Sequence, residues 1–157
     1  MTIYKLKTTT IKINVSDSAT EKSEIRRVSN PTDALKIAYE LYKTMDDDQE
    51  HTLLLSMDAK NNIKAFKFLS SGSQNSAEVD PKIVFRTALL LGASAIILIH
   101  NHPSGDPAPS VNDKSVTQRI SSIAKDIDIY FHDHIILGKN GNYYSFKQSG
   151  FLEAHRD

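Results

Sequence analysis

The sequence predicts an α/β (α+β) fold in a single domain, with helices flanking a mixed β-sheet. Segments typical of strands and helices alternate along the chain in the order β–α–β–β–α–β–α–β–β. The run Ser94–Ile99 is apolar and largely β-branched, as expected of a central strand that is covered on both faces. A length of 157 residues suits one domain with its own core and is short for two.

The first half of the chain begins with irregular patterns. Residues 2–15 alternate apolar and polar side chains in places, which predicts an extended segment or hairpin, and the polar residues 16–30 predict a loop or linker. Asn30 followed by Pro31 is a typical helix start. One helix and two strands are then predicted, with the apolar stripe of the helix at Leu35, Ala38, Tyr39, Tyr42 and Met45 and the strands at Thr52–Met57 and Ile63–Phe68.

The second half contains two helices around the central strand. Asp80 followed by Pro81 opens the first of them, and Gly92 is expected to end it. A loop with three prolines and one glycine, residues 103–109, leads to the second helix, from Val111 to about Lys125. The chain finishes with three predicted strands, Ile127–Phe131, Ile135–Leu137 and Tyr143–Phe146.

The composition excludes several classes of site. The chain has no cysteine, so disulfides and thiolate metal sites are ruled out and any metal is left to histidine and carboxylate ligands. Nineteen basic residues balance nineteen acidic ones, which does not support a DNA-binding surface. The first fifteen residues lack the apolar core of a secretory signal, and no apolar stretch approaches the roughly 20 residues of a membrane span. A cytoplasmic protein without a membrane partner is expected.

The residues with the clearest chemical meaning lie between the central strand and the helix that follows it. His100 and His102 are two residues apart at the end of the strand, so their side chains are expected to project together. The proline-rich loop is stiff and can hold a third group against them at little entropic cost. Ser110 and Asp113 occupy the cap and third positions of the helix. The pattern predicts a metal site formed by His100, His102 and Asp113.

Two imidazoles and one carboxylate form a ligand set that suits Zn²⁺ and leaves a fourth position for water. Zinc lowers the pKa of such a water to about 7, and a general base must accept its proton. Each half of the pattern has a simpler interpretation. A His-x-His pair is often ordinary surface, and Ser-x-x-Asp is also a helix capping box. The spacing of both halves on one strand, loop and helix favours the metal site.

The remaining histidines and nearby acids are assigned structural roles. His132 and His134 are expected to share a face of their strand, with a structural or ligand-supporting role because no third ligand is spaced to join them. Asp133 is expected to orient a neighbouring group, and Asp106 to be a turn residue. His51 and His155 are predicted to lie at the surface.

The string His-Asn-His-Pro-Ser-Gly-Asp-Pro-x-Pro-Ser-x-x-Asp, residues 100–113, resembles the metal motif of the JAMM (JAB/MPN) metalloproteases, and of their RadC branch in particular. The resemblance implies a JAB/MPN-type domain over residues 29–153, preceded by an N-terminal extension or short hairpin over residues 1–28. It also implies that Glu50 moves the proton of the metal-bound water and that Ser110 stabilises the oxyanion. From the residues alone, the competitors for Glu50 are Asp47, Asp48 and Glu78.

Three functional hypotheses follow. The first is a zinc-dependent hydrolase that cleaves a peptide or isopeptide amide bond in a peptide or protein substrate; the amide substrate is implied only by the resemblance. The second is a factor of DNA repair or DNA metabolism, as the RadC label suggests, although the balanced charge gives DNA binding no support. The third is a non-catalytic interaction module, against which the retained ligand set argues. The sequence does not indicate an oligomeric state.

Overall fold

A computed structural model describes residues 15–17, 21–23, 27–43, 45, 48–72 and 79–152 of the chain. Glu78, His155, Asp47 and most of the hairpin predicted over residues 2–15 lie outside these ranges. Within them the chain forms strands β1 (Val15–Asp17) and β2 (Glu21–Ser23), helix α1 (Pro31–Tyr42), strands β3 (Glu50–Met57) and β4 (Ile63–Gly72), helix α2 (Pro81–Leu90), strand β5 (Ala95–Asn101), helix α3 (Val111–Asp126), and strands β6 (Tyr130–Leu137) and β7 (Tyr143–Ser145).

The main sheet has five strands in the order β4-β3-β5-β6-β7. Strand β3 pairs antiparallel with β4 and with β5, β5 pairs parallel with β6, and β6 pairs antiparallel with β7. The parallel pair is joined through α3, as a parallel connection requires a crossover. The predicted α/β (α+β) class, with a mixed sheet flanked by helices, is confirmed.

The sheet is covered on both faces, which explains why its central strand is apolar throughout. One face packs against α1, and the other packs against α2 and α3. Strand β5 contributes alternate residues to the two cores: Ile97 and Ile99 face α1, whereas Ile96 and Leu98 face the other two helices. His100 continues the second series, so it lies on the face that α3 covers.

Two predicted helix starts are confirmed by their caps. The side chain of Asn30 accepts a hydrogen bond from the N–H of Asp33, whose carboxylate accepts from the N–H of Asn30 in return. Asp80 caps α2 through the N–H of Lys82, and Pro81 follows it. Within the described ranges, no helix combines the length and the apolar character that crossing a membrane requires.

The structure corrects two sequence predictions of secondary structure. Part of the loop predicted over residues 16–30 is strand, because β1 and β2 pair antiparallel through Val15↔Ser23. These two strands are mostly polar, so they lack the alternation of apolar and polar residues from which a strand is predicted. The strands predicted over Ile127–Phe131 and Ile135–Leu137 are instead one strand, β6, with an irregular register near His132. The polar residues at this bulge interrupt the apolar pattern but not the strand.

Candidate metal centre

The two histidines of the motif lie where strand β5 ends, and their rings face each other. His100 Nε2 and His102 Nε2 are 3.0 Å apart. His100 is 1% exposed, whereas His102 is partly exposed and lies just beyond the strand. The predicted projection of both side chains to one side is therefore confirmed. The deeper ring is fixed by the core, and the outer ring lies at the surface of the site.

Asp113 completes the group from the first turn of α3. Its Oδ1 lies 3.3 Å from His100 Nε2, and its Oδ2 lies 3.6 Å from His102 Nε2. Bonds of about 2.0–2.2 Å in a tetrahedral zinc site place neighbouring ligand atoms about 3.3 Å apart. The separations observed here have that size, so the three side chains converge on a volume that fits one metal ion.

Ser110 determines where the carboxylate points. The N–H and the hydroxyl of Ser110 both donate to Asp113 Oδ2, at 2.7 and 2.6 Å, and Ser110 Oγ accepts from the N–H of Asp113 at 3.1 Å. The capping-box interpretation of Ser-x-x-Asp is therefore correct and compatible with the metal site. The cap holds Oδ2, which leaves Oδ1 facing His100.

In both rings, the nitrogen that points away from the cluster, Nδ1, has a hydrogen-bond partner. His102 Nδ1 lies 2.8 Å from the carbonyl oxygen of Asp106, and His100 Nδ1 lies 2.9 Å from His134 Nε2. A carbonyl oxygen can only accept, so His102 Nδ1 carries a proton and Nε2 is the nitrogen that faces the cluster. Asp106 also forms the expected turn, because its carboxylate accepts from the N–H of Ala108. Its support of His102 was not predicted.

The loop that carries His102 packs against the turn between β6 and β7. The N–H of His102 donates to Leu137 O, and the N–H of Lys139 donates to Gly105 O, both at 3.0 Å. Gly138 lies at the closest approach: a β-carbon there would be 2.6 Å from Gly105 O and 2.8 Å from Pro107 Cδ. The position therefore requires glycine if the loop is to keep its place.

Gly138→Ala is expected to displace this loop. Overpacking of this kind typically costs about 1–3 kcal/mol, and the shift moves His102 away from the other two ligands. We therefore expect a lower free energy of unfolding and weaker zinc binding, measured by urea unfolding and by competition with a chelator. Gly141→Ala is the control, because Gly141 has φ 78° but a β-carbon added there would have no atom within 4 Å. It should lose stability without losing zinc affinity; equal zinc affinity in both variants would contradict the account.

Glu50 is placed at the site by the sheet. Thr52 pairs with His100 across the antiparallel strands, so extending the register by two residues brings Glu50 opposite His102. The side chain of Asn101 fixes this end of the strand: it accepts from the N–H of His51 at 2.8 Å and donates to Gln49 O at 2.9 Å. Asn101 thus holds the backbone on both sides of Glu50. Sequence reasoning gave Asn101 no role.

The electrostatics fit a metal centre. Burial lowers the pKa of His100 to about 4, so the ring is neutral at pH 7, as a metal ligand must be. Burial opposes ionisation of Asp113, but the hydrogen bond with His102, the neighbouring His100 and the bonds from Ser110 hold its pKa well below the ordinary value. The hydrogen bond to Asp113 raises the pKa of His102. Burial raises the pKa of Glu50. The nearby His102 opposes this increase, and the charge of Asp113 adds to it. A carboxyl group of raised pKa is suited to proton transfer.

The other histidines have separate partners. His134 is fully buried and contacts His100, which fits the predicted supporting role. His132 has a different partner: the register of β6 shifts next to it, and its Nε2 lies 2.7 Å from Asn61 Oδ1. His51 was predicted at the surface but is 6% exposed, with its ring against Tyr42 and Phe68.

Asp133 orients the end of the sheet, as expected of a group that positions a neighbour. Its carboxylate accepts from the hydroxyl of Ser145 at 2.5 Å and from the N–H of Lys147 at 2.9 Å. These bonds hold β7 and the turn after it against β6. Asp133 is not part of the His–His–Asp cluster.

Stability should depend on pH because three histidines, His100, His132 and His134, are held neutral. Burial lowers the pKa of His100 to about 4, and burial together with the charge of Lys147 does the same for His132, from an ordinary 6.5. Between these values the unfolded chain binds protons that the folded chain excludes. The free energy of unfolding of the metal-free protein should therefore fall as the pH falls from 6.5 to about 4, measured by urea unfolding across that range.

The control for this dependence is His132→Gln, which should show a shallower slope over the same range. Burial raises the pKa of Glu50 and of Asp133, which act in the opposite sense but are present in both proteins. The difference in slope between the two proteins therefore gives the contribution of His132. Identical slopes would show that His132 is not held neutral.

The fold and the cluster define a mixed α/β domain with a candidate metal-binding site formed by His100, His102 and Asp113. Residues 28–151 match the sequence model of the RadC-like JAB domain, and the chain belongs to this family. The resemblance to the RadC branch of the JAB proteins is thus confirmed.

Named relatives agree with this assignment. A UPF0758 protein of Methanosarcina mazei is 38% identical over 82% of this chain and 55% of its own length. A UPF0758 protein of Methanococcoides burtonii is 38% identical over 81% of this chain and 54% of its own length. A UPF0758 protein of Pelodictyon phaeoclathratiforme is 43% identical over 68% of this chain and 48% of its own length. The chain spans about half the length of the curated relatives it matches.

Proposed function

We propose that this protein is a zinc-dependent hydrolase of the JAMM type that cleaves a peptide or isopeptide amide bond. The observation that carries the proposal is the convergence of His100 Nε2, His102 Nε2 and a carboxylate oxygen of Asp113 on one volume. Two imidazoles and one carboxylate without thiolates match the ligand sets of catalytic zinc sites, which keep a further position for water or substrate.

The donor atoms fit a metal ion in protonation as well as in position. His100 is neutral, Asp113 is ionised, and His102 has a proton on Nδ1, so its Nε2 is the nitrogen that would bind a metal ion. The raised pKa of His102 favours a second proton on Nε2, which a metal ion would displace. When bound, zinc would polarise the scissile carbonyl and acidify a water molecule.

The protein groups around the centre have distinct tasks in this proposal. Glu50 accepts a proton from the attacking water and delivers it to the leaving amine, which its raised pKa favours. Ser110 lies at the positive end of α3 and donates to the developing oxyanion when its hydroxyl turns from Asp113. A cleft of about 260 Å³ next to His102, lined by Tyr39, Met45 and Lys139 among others, offers room for a substrate side chain.

A hydrolysis assay tests the proposal. The zinc-loaded protein is incubated with fluorogenic peptides and with isopeptide-linked peptide pairs, and the release of a new amine is measured. Cleavage that a chelator removes and added zinc restores would support it. If protein that holds stoichiometric zinc cleaves neither the peptides nor the isopeptide-linked pairs, the proposal of an amide substrate is wrong. The DNA-related and non-catalytic hypotheses remain predictions.

A further inference from the structure

A chain of buried hydrogen bonds runs from His100 back to the helix that carries Asp113. His100 Nδ1 lies 2.9 Å from His134 Nε2, and His134 Nδ1 lies 2.6 Å from Thr117 Oγ1. The hydroxyl of Thr117 donates to Asp113 O at 2.5 Å, one helical turn earlier. His100, His134 and Thr117 are 1%, 0% and 0% exposed. The chain therefore connects two proposed metal ligands through groups shielded from solvent.

The direction of each hydrogen bond follows from the carbonyl at the end. A carbonyl oxygen carries no proton, so a contact of 2.5 Å requires the Thr117 hydroxyl hydrogen to point at Asp113 O. Thr117 Oγ1 must then accept from His134, which places the proton of His134 on Nδ1. His134 Nε2 is left with a lone pair and must accept from His100 Nδ1. The proton of His100 therefore lies on Nδ1, and its Nε2 faces the site with a free lone pair.

The two proposed histidine ligands differ in how the proton is fixed on Nδ1. His102 Nδ1 faces a carbonyl, which sets the tautomer by itself. His100 faces a second imidazole, which can donate or accept through the same nitrogen, so His134 alone does not set the tautomer of His100. That tautomer is set by the next group in the hydrogen-bond chain, the Thr117 hydroxyl. The His134 ring is also held in plane by stacking on Phe146, with an interplanar angle of 9°.

We propose that Thr117 and His134 are positioning residues that lock His100 in the tautomer able to bind a metal through Nε2. The inference rests on the metal site of the proposed function. It adds that the metal affinity depends on a hydroxyl that touches neither the metal nor a ligand nitrogen. Thr117 bonds both the carbonyl of Asp113 and the ring of His134, so it also ties the first turn of α3 to strand β6.

The test compares Thr117→Val, which keeps the side-chain shape without the hydroxyl, with Thr117→Ser, which keeps the hydroxyl. Zinc dissociation constants are measured by competition with a chromophoric chelator. We expect Thr117→Val to bind zinc about 10- to 100-fold more weakly, because losing the hydroxyl frees the tautomer of His134 and so removes its support of His100, and loss of such support typically costs that factor. Thr117→Ser should stay within a few-fold of the wild type. Equal affinity of the valine variant and the wild type would overturn the inference while leaving the metal site intact.

A second measurement uses the metal-free wild-type protein and does not depend on zinc binding. Histidine ¹⁵N NMR spectra distinguish a protonated ring nitrogen from an unprotonated one. We expect His100 and His134 to be protonated on Nδ1 and unprotonated on Nε2, and His100 to lose this state in Thr117→Val. A wild-type His100 protonated on Nε2 would overturn the inference. If the wild type binds no zinc, the proposed function fails, and this spectrum still decides the direction of the chain.

Discussion

Glu50→Gln is expected to remove hydrolysis while leaving zinc bound. Glutamine has nearly the same shape as glutamate but cannot accept a proton, and positioned general bases typically contribute about 10²- to 10⁴-fold to rate. Glu50 is placed opposite His102 by the register of β3 and β5, and its pKa is raised by burial and by Asp113. The rate constant kcat should fall by about that factor, measured on the best substrate of the hydrolysis assay.

Asp48→Asn is the matched control, since Asp48 is an exposed acid just before the same strand. It should keep both activity and zinc. Zinc content of the Glu50→Gln protein is measured on the same preparation, because a loss of zinc would assign Glu50 to metal binding instead. Full activity of Glu50→Gln would exclude it as the general base, and the acids near it would have to be tested in turn.

His102→Ala is expected to lower zinc affinity more than any other single change that leaves the fold intact. It removes one of the three proposed ligands, so the loss of affinity should exceed the roughly 100-fold effect typical of groups that only support a ligand. His102 is preferred to His100 for this test, because His100 is buried and hydrogen-bonded to His134. His102 is partly exposed beyond the end of β5, so its removal leaves the core unchanged.

His132→Ala serves as the control for this substitution. His132 lies on another strand and bonds Asn61 rather than a member of the cluster, so its removal should leave zinc affinity within a few-fold of the wild type. Competition with a chelator measures all three proteins. If His102→Ala binds zinc as tightly as the wild type, the metal lies elsewhere or is not held by this trio.

The proposed ligands could be predicted from sequence because local rules fix them. Alternation along a strand puts His100 and His102 on one side, and the capping box sets the direction of Asp113 at the start of α3. The stiff loop between them limits how they can be arranged. Buried strands and capped helices were likewise predictable, since each follows from periodicity and terminal residues.

The supporting groups could not be predicted, because they depend on contacts between distant segments. Thr117 meets His134 only when α3 packs on β6, and Asn101 brackets Glu50 only in the register of β3 and β5. The continuity of β6 depends on the bulge that accommodates its polar residues, for which the sequence pattern has no signal. The burial of His51 similarly requires the aromatic rings that pack around it.

The most direct test of the metal centre is anomalous diffraction at the zinc absorption edge from crystals of the zinc-loaded protein. We expect one strong peak per chain, within about 2.0–2.2 Å of His100 Nε2, His102 Nε2 and one carboxylate oxygen of Asp113. An ordered crystal in which zinc is absent from this position, or is held by other residues, would contradict the central claim.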